Sequence, residues 1–449
     1  MAGRCGRLMT GAGLVAIVGA AAWLLGGCTR EDALREAQQS MSFALLSGEQ
    51  LNTLAKPRPP EYENAAPLYM QARSDKAFPT PERSLELHDF WYLEADKPGG
   101  VEAALAASRK LLGEFGGILG VMDEAASRPR CVFPWDMSRY WLAPKDDPWG
   151  DGLATLYWIR HLAFQEARAS GRTEDAFHQV VGSLTLVRHL GETPLVSYYD
   201  GGIDLRRRAI DDLLSLFASG TPTKQDAVRA LWALAEDGAD AQALVRTQVI
   251  LSHCAMEEFR AGRIDEVGLR QSVPYYYHSV DPDEPWAGRK PPTMRTEAEY
   301  LTLANRLVAA ISEDVVFSLP RVERVKQDVR KARDNWLVSS HLLDHFYFLR
   351  RYWCDVARRR MASIALQLVL HRERTGALPA LLRDIPEYDA GLKDPFSGQE
   401  FHYRKEPGGF TLWSVDYDGI DNGGRQKDEV GTEDDLVIRC VLTNVIPGT

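Results

Sequence analysis

Apolar positions recur along most of this chain at spacings of three and four, the pattern of helices that bury one face. Leu153 to Ser170 reads as one amphipathic helix, and Gly171-Arg172 turns the chain back. A second helix then runs to His189, with Thr173 as its cap and Glu174 and Asp175 complementing the helix dipole in its first turn. The small residues Ala163, Ala167 and Ala169 suit close packing of the pair. The same spacing predicts helices over Glu63–Arg73, Val101–Ala126, Ile203–Phe217, Thr223–Glu236 (capped by Thr223), Ala241–Ala261, Thr296–Ser312 and Arg321–Val329, then a long helix from about Asp334 to Thr375.

After Gly376, a helix C-cap candidate, the pattern changes. Short strands are expected at Phe401–Arg404, Phe410–Val415 and Leu436–Arg439, with a hairpin turn at Gly408-Gly409. Two stretches interrupt the helices. One is Lys56 to Pro60; the other is 263–293, where five prolines surround Tyr275-Tyr276-Tyr277. Proline lacks a donor and disfavours helix before it. Aromatics beside prolines pack a long loop onto its own domain or offer a docking segment. The fold class is therefore mainly α. An irregular helical body, partly an αα-hairpin, precedes a small α+β module with a long helix and a short antiparallel sheet. The Ala-x-x-Ala…Gly-Arg…Asp-Ala pattern of the first helix pair resembles a single tetratricopeptide-type hairpin, but no period recurs to make an array.

One apolar stretch belongs to none of these elements. It begins near Leu8, after Arg4 and Arg7, and closes in Leu25-Gly26-Gly27-Cys28. A basic start, a short apolar run and small residues before a cut site make an export leader. With a cysteine directly after the small residues, it resembles a bacterial lipoprotein signal peptide. The resemblance implies removal of residues 1–27, diacylglycerol on the Cys28 thiol and acylation of the freed amine. Each buried methylene contributes about 0.8 kcal/mol, and stable anchoring takes more than one chain. Thr29 stands where the family's inner-membrane retention signal has Asp. The implied address is the outer membrane, facing the periplasm or the surface. A plain cleaved leader and an uncleaved membrane helix are the competing readings; the run is near the lower limit of about 17 residues for a span.

The expected divisions are the signal peptide at 1–27, the lipidated N-terminus and linker at 28–62, a helical domain at 63–262, the Pro/Tyr-rich connection at 263–293, and 294–449 as helices ending in the α+β module (about 355–440). At 449 residues, 45% hydrophobic and 26% charged, the chain has ordinary globular composition. Its net charge is −10, and no long basic stretch follows the leader, which excludes nucleic acid as a partner. The expected partners are the membrane, through the anchor, and envelope proteins. Cys131, Cys254, Cys354 and Cys440 permit three pairings in an oxidising space. Cys254 and Cys354 lie in apolar helical patterns and fit buried free thiols.

From about Val356 to Arg439 a second resemblance appears. It is carried by Gly376-Ala377-Leu378-Pro379, Asp394-Pro395-Phe396-Ser397-Gly398, Tyr403-Arg404, Leu412-Trp413-Ser414, Asp418-Gly419, Gly423-Gly424 and Glu433-Asp434-Asp435-Leu436. In that order, these pieces resemble the soluble part of the major pseudopilin of type II secretion systems. The resemblance implies a calcium ion in the acidic loop, with Asp418, Glu433 and Asp435 at the family's ligand positions and Asp421 and Asp428 as possible substitutes. Calcium takes six to eight oxygens, which clustered carboxylates supply; a solvated acidic hairpin is the alternative. The lipoprotein-like leader and the long preceding body depart from the family pattern, so filament assembly is not implied.

Among catalytic patterns, His341 and His345 share a helix face, as zinc sites require, but lack the Glu of HExxH and an obvious third ligand. His253 and Glu257 repeat the spacing. No GxSxG elbow, Walker loop or dinucleotide fingerprint occurs in a supporting context. The expected function is a non-enzymatic, envelope-anchored scaffold or interaction protein with a possible calcium-stabilised module. A metal-dependent enzyme using His341 and His345, or an accessory component of a secretion or pilus-like system, are the alternatives.

Overall fold

A computed structural model describes residues 31–54, 57–95, 99–134, 150–193, 195–220, 222–235, 240–265, 269, 293–312, 315–332, 335, 338–386, 388, 391–425 and 435–442. The leader with Cys28, the Tyr275-Tyr276-Tyr277 segment, Asp428 and Glu433 lie outside these residues. The described chain is mainly helical, with one three-stranded antiparallel sheet near its C-terminal end. After α1 (31–39) come α2 (Ala66–Arg73), α3 (Pro81–Ala95), α4 (Gly100–Glu114), α5 (Gly116–Ala126), α6 (Gly150–Ala169), α7 (Thr173–Leu190) and α8 (Val196–Leu216). Then follow α9 (Lys224–Leu234), α10 (Ala241–Arg260), α11 (Met294–Ala310), α12 (Val315–Lys331), α13 (Leu343–Thr375), β1 (His402–Glu406), β2 (Gly409–Ser414) and β3 (Leu436–Val441).

Several boundaries differ from the periodicity, each for a local reason. The helix expected over Val101–Ala126 is two, broken at Phe115. Glycines at 113, 116 and 117 weaken the helix there, and the bend buries the Phe115 ring completely. Gly201-Gly202 looks like a breaker, yet α8 runs through it, because Gly202 lies against Val187 of α7. Thr173 is the first residue of α7 rather than its cap. Thr223 does cap α9, accepting from the Asp226 amide, and Gly376 ends α13 with φ +79°.

The α6–α7 hairpin forms as expected and packs on α8; α7 is buried on nearly every side. Gly182, mid-helix in α7, explains itself by its neighbour: a Cβ there would sit 2.0 Å from the Arg160 guanidinium. Arg160 of α6 is buried, donates to Asp123 at 2.8 Å, and occupies the space that Gly182 leaves. Helix α13 crosses α8, α9, α10 and α12 and reaches β2 and β3. Buried apolar residues from Leu34 to Leu442 form one connected core. In the sheet, β2 is central, every residue of it buried, and Gly409 is required because a Cβ would lie 2.0 Å from the Cys440 carbonyl oxygen. The four described cysteines are free thiols.

One polar cluster lies inside this core. Arg206 of α8 and Asp355 and Arg359 of α13 are each about 2% exposed. Asp355 Oδ2 pairs with Arg206, lies 3.2 Å from Arg359 Nε and accepts from the Tyr199 hydroxyl at 3.2 Å. The arginines also donate to the Val187 carbonyl of α7 (3.4 Å) and the Ala235 carbonyl that ends α9 (3.3 Å). Asp355→Ala leaves two dry guanidinium groups facing each other, and should cost about 3–5 kcal/mol in urea unfolding; a loss within about 1 kcal/mol would contradict this role. Gly182→Ala should destabilise by about 1–3 kcal/mol despite Ala's better helix propensity, and combining it with Arg160→Ala should relieve most of that loss.

Candidate functional site

The histidines with metal-like spacing are interior groups. His341 lies in a π-helical turn (Val338–Leu342) that enters α13, and His345 Nδ1 is hydrogen-bonded to the His341 carbonyl. Burial depresses the His341 pKa to about 3 and the His345 pKa to about 4. Among the described residues, no three His, Cys, Asp or Glu side chains converge as a metal cage. His253 Nδ1 contacts the fully buried Glu297 carboxylate at 2.9 Å, Arg260 pairs with the same carboxylate, and His253 Nε2 lies 3.5 Å from Glu257. This cluster ties α10 to α11. His189 accepts from the Tyr69 hydroxyl (2.9 Å) through Nδ1 and donates from Nε2 to the Arg128 carbonyl (3.1 Å), fastening the α2–α5 segment to α7; burial lowers its pKa to about 3.

The acidic loop is organised by its own backbone. Asp435 accepts from the amides of Asn422 (3.2 Å) and Gly424 (2.8 Å), one on each oxygen. Asp421 Oδ1 accepts from Trp413 Nε1 (2.9 Å) and the Gly423 amide (2.8 Å), and its other oxygen is 3.6 Å from His402. Asp418 accepts from the Ile420 amide at 2.9 Å. Among the described residues Asp418, Asp421 and Asp435 do not form a group of three that could hold a metal ion; Glu433 and Asp428 lie outside them. The Asp394-Pro395-Phe396-Ser397-Gly398 motif is structural too. Asp394 is fully buried and accepts from the Ser414 and Ser397 hydroxyls and the Phe396 and Val415 amides.

The accessible chemistry lies elsewhere, in residues the sequence reading passed over. A cleft of about 510 Å³ opens where the C-terminal end of α6, the outer face of α8 and α13 meet β3. It is lined by Arg168, Arg207, Arg358 and Arg439 with a single carboxylate, Asp211. Arg358 Nη1 stands 3.8 Å from Asp211. Burial pushes the Asp211 pKa up, against the pull of Arg358 and Arg207; burial likewise lowers the Arg358 pKa. Among the described residues, the side chains of Arg168 and Arg207 have no hydrogen bond or ion pair, although Arg207 lies close enough to Asp211 to pull on its charge. The signal in the sequence was the pair of triplets Arg206-Arg207-Arg208 and Arg358-Arg359-Arg360 in an acidic chain. From each triplet one arginine turns inward to Asp355 and a neighbour lines the cleft. An arginine fork recognises carboxylate and phosphate oxygens two at a time.

No protein-family model, curated protein or solved structure matches the chain.

The buried histidines set an acid limit on stability. His189, His341 and His345 have folded pKa values below their ordinary 6.5. The unfolded chain then binds protons that the folded chain excludes. Their contribution is complete above about pH 6.5 and is lost as pH falls toward 4, by up to about 1.4 kcal/mol per pH unit for each histidine. Thermal melts from pH 7 to 4.5 should show a steep loss, shallower in His189→Gln; parallel curves would contradict the assignment. A chelator should leave the melting temperature unchanged, whereas a drop reversed by calcium and abolished in Asp418→Ala would place an ion in the loop.

Proposed function

We propose that this chain is an exported lipoprotein, held in the outer membrane by a lipidated Cys28, whose helical body is a non-enzymatic docking scaffold. The observation that carries the scaffold reading is the distribution of polar chemistry. The histidines with catalytic spacing, His253, His341 and His345, are buried, while four arginines and a single carboxylate line one solvent-open cleft. A body built around internal ion pairs and presenting an arginine-rich cleft suits recognition better than proton transfer.

Covalent geometry supports a short tether. Two residues separate Cys28 from Glu31, the first described residue of α1, and they span at most about 10 Å. Beyond α1 the chain is clamped to α11, because Asn305 donates to the Ser40 carbonyl (2.9 Å) and accepts from the Ser42 amide (2.8 Å). A lipid on Cys28 would thus hold the body close to the bilayer. The pseudopilin resemblance bears on the shape of the C-terminal module. Its long helix is covered here by α8, α9 and α12, which argues against the helix-to-helix packing of a filament.

Metabolic labelling with a radioactive fatty acid tests the anchor. Label should enter the chain and follow it into detergent extracts of the outer membrane, and Cys28→Ser should lose the label and the membrane association together. A Cys28→Ser chain that stays in membranes with residues 1–27 intact would overturn the reading in favour of a membrane helix.

A further inference from the structure

The described sheet ends at β3, in the order β1-β2-β3, so the outer edge of β3 has no strand partner among the described residues. The arginine cleft opens along this strand, and Val437, Arg439 and Val441 line it. Val441 is 71% exposed. Edge strands normally carry charges, prolines or bulges that discourage another chain from pairing. Between Leu436 and Val441 there is no proline, and Arg439 is the one charge.

We propose that the cleft binds an acidic segment of a partner protein, added in extended form along the outer edge of β3 with its carboxylates on the surrounding arginines. The proposal deepens the scaffold reading and rests on it. Charge complementarity selects the occupant: four guanidinium groups face one carboxylate in a chain whose net charge is −10. Strand addition supplies main-chain hydrogen bonds irrespective of sequence, and the side chains alongside confer specificity. Alternate residues of an extended segment share a face, so acidic residues at every second position reach the arginines together. The Arg168 and Arg207 side chains, which make no hydrogen bond or ion pair among the described residues, are available to such a ligand.

The test is fluorescence anisotropy on the full chain in detergent micelles, titrated against a labelled peptide of alternating Glu and Val. Saturable binding that weakens with salt is expected, and Arg168→Gln with Arg207→Gln should weaken it about tenfold or more without changing the melting temperature. A second measurement on the unaltered chain uses the same peptide N-methylated at alternate amides, in both registers; in one register binding should be lost, because the charges remain while the edge donors are gone. An alternating Lys and Val peptide should not bind. Absence of saturable binding, equal binding by the double variant, or equal binding by both N-methylated peptides would overturn the proposal. Inorganic phosphate binding in place of the peptide would also overturn it, in favour of a phosphate ligand. Binding that persists in Cys28→Ser separates this outcome from the fate of the anchor.

Discussion

Two guanidinium groups sharing one carboxylate in a dry interior are the constraint around which the helical body is arranged. Arg206 and Arg359 both converge on Asp355, and their remaining donors reach carbonyls of α7 and of the residue ending α9. Moving such charges out of water is expensive, and they are tolerated only where geometry and extra hydrogen bonds offset the loss. The cluster therefore sets the register of α13 against α7, α8 and α9 more narrowly than apolar packing alone. It also has a consequence at the surface. Neighbouring helical residues point about 100° apart, so fixing Arg206 and Arg359 inward brings Arg207 and Arg358 out on a common flank. The cleft is in this sense a by-product of the internal ion pairs.

The C-terminal module is joined to the body by the same kind of chemistry. Asp394 collects four donors and fixes the end of β2. Tyr417 stacks on Trp353 and donates to Glu323 of α12 at 2.6 Å. Asp416, the one described non-glycine residue with positive φ, turns the chain so that this ring meets the body. The pairs His253–Glu297 and Tyr69–His189 do the equivalent work between helices at the other end. Polar residues that look catalytic in a linear reading are here mostly fasteners. A half-satisfied buried polar group is costly, and His253–Glu297 and Tyr69–His189 each make their bond across a helix–helix contact.

Periodicity carried the helices other than α3, the α6–α7 hairpin, the Thr223 cap, the Gly376 terminus and the three strands, because these depend on local conformational preference and on which face is apolar. It missed the break at Phe115 and the passage of α8 through Gly201-Gly202. Both depend on what lies opposite, a pocket for a ring in one case and Val187 in the other. The acidic loop was legible as acidic, but not the way Asp418, Asp421 and Asp435 each accept from the loop's own amides. The cleft was not legible at all as a site. Its four arginines come from three helices and a strand, up to 271 positions apart in the numbering.

By itself the sequence determined the helical class and the strand-bearing C-terminal module, since each is written in adjacent residues and their spacing. Tertiary structure alone decided which charges are spent in the interior and which stay open. That choice is a matter of desolvation. An arginine is a fastener or a recognition group according to whether a carboxylate meets it inside the core, and only the packing of distant helices brings that carboxylate there.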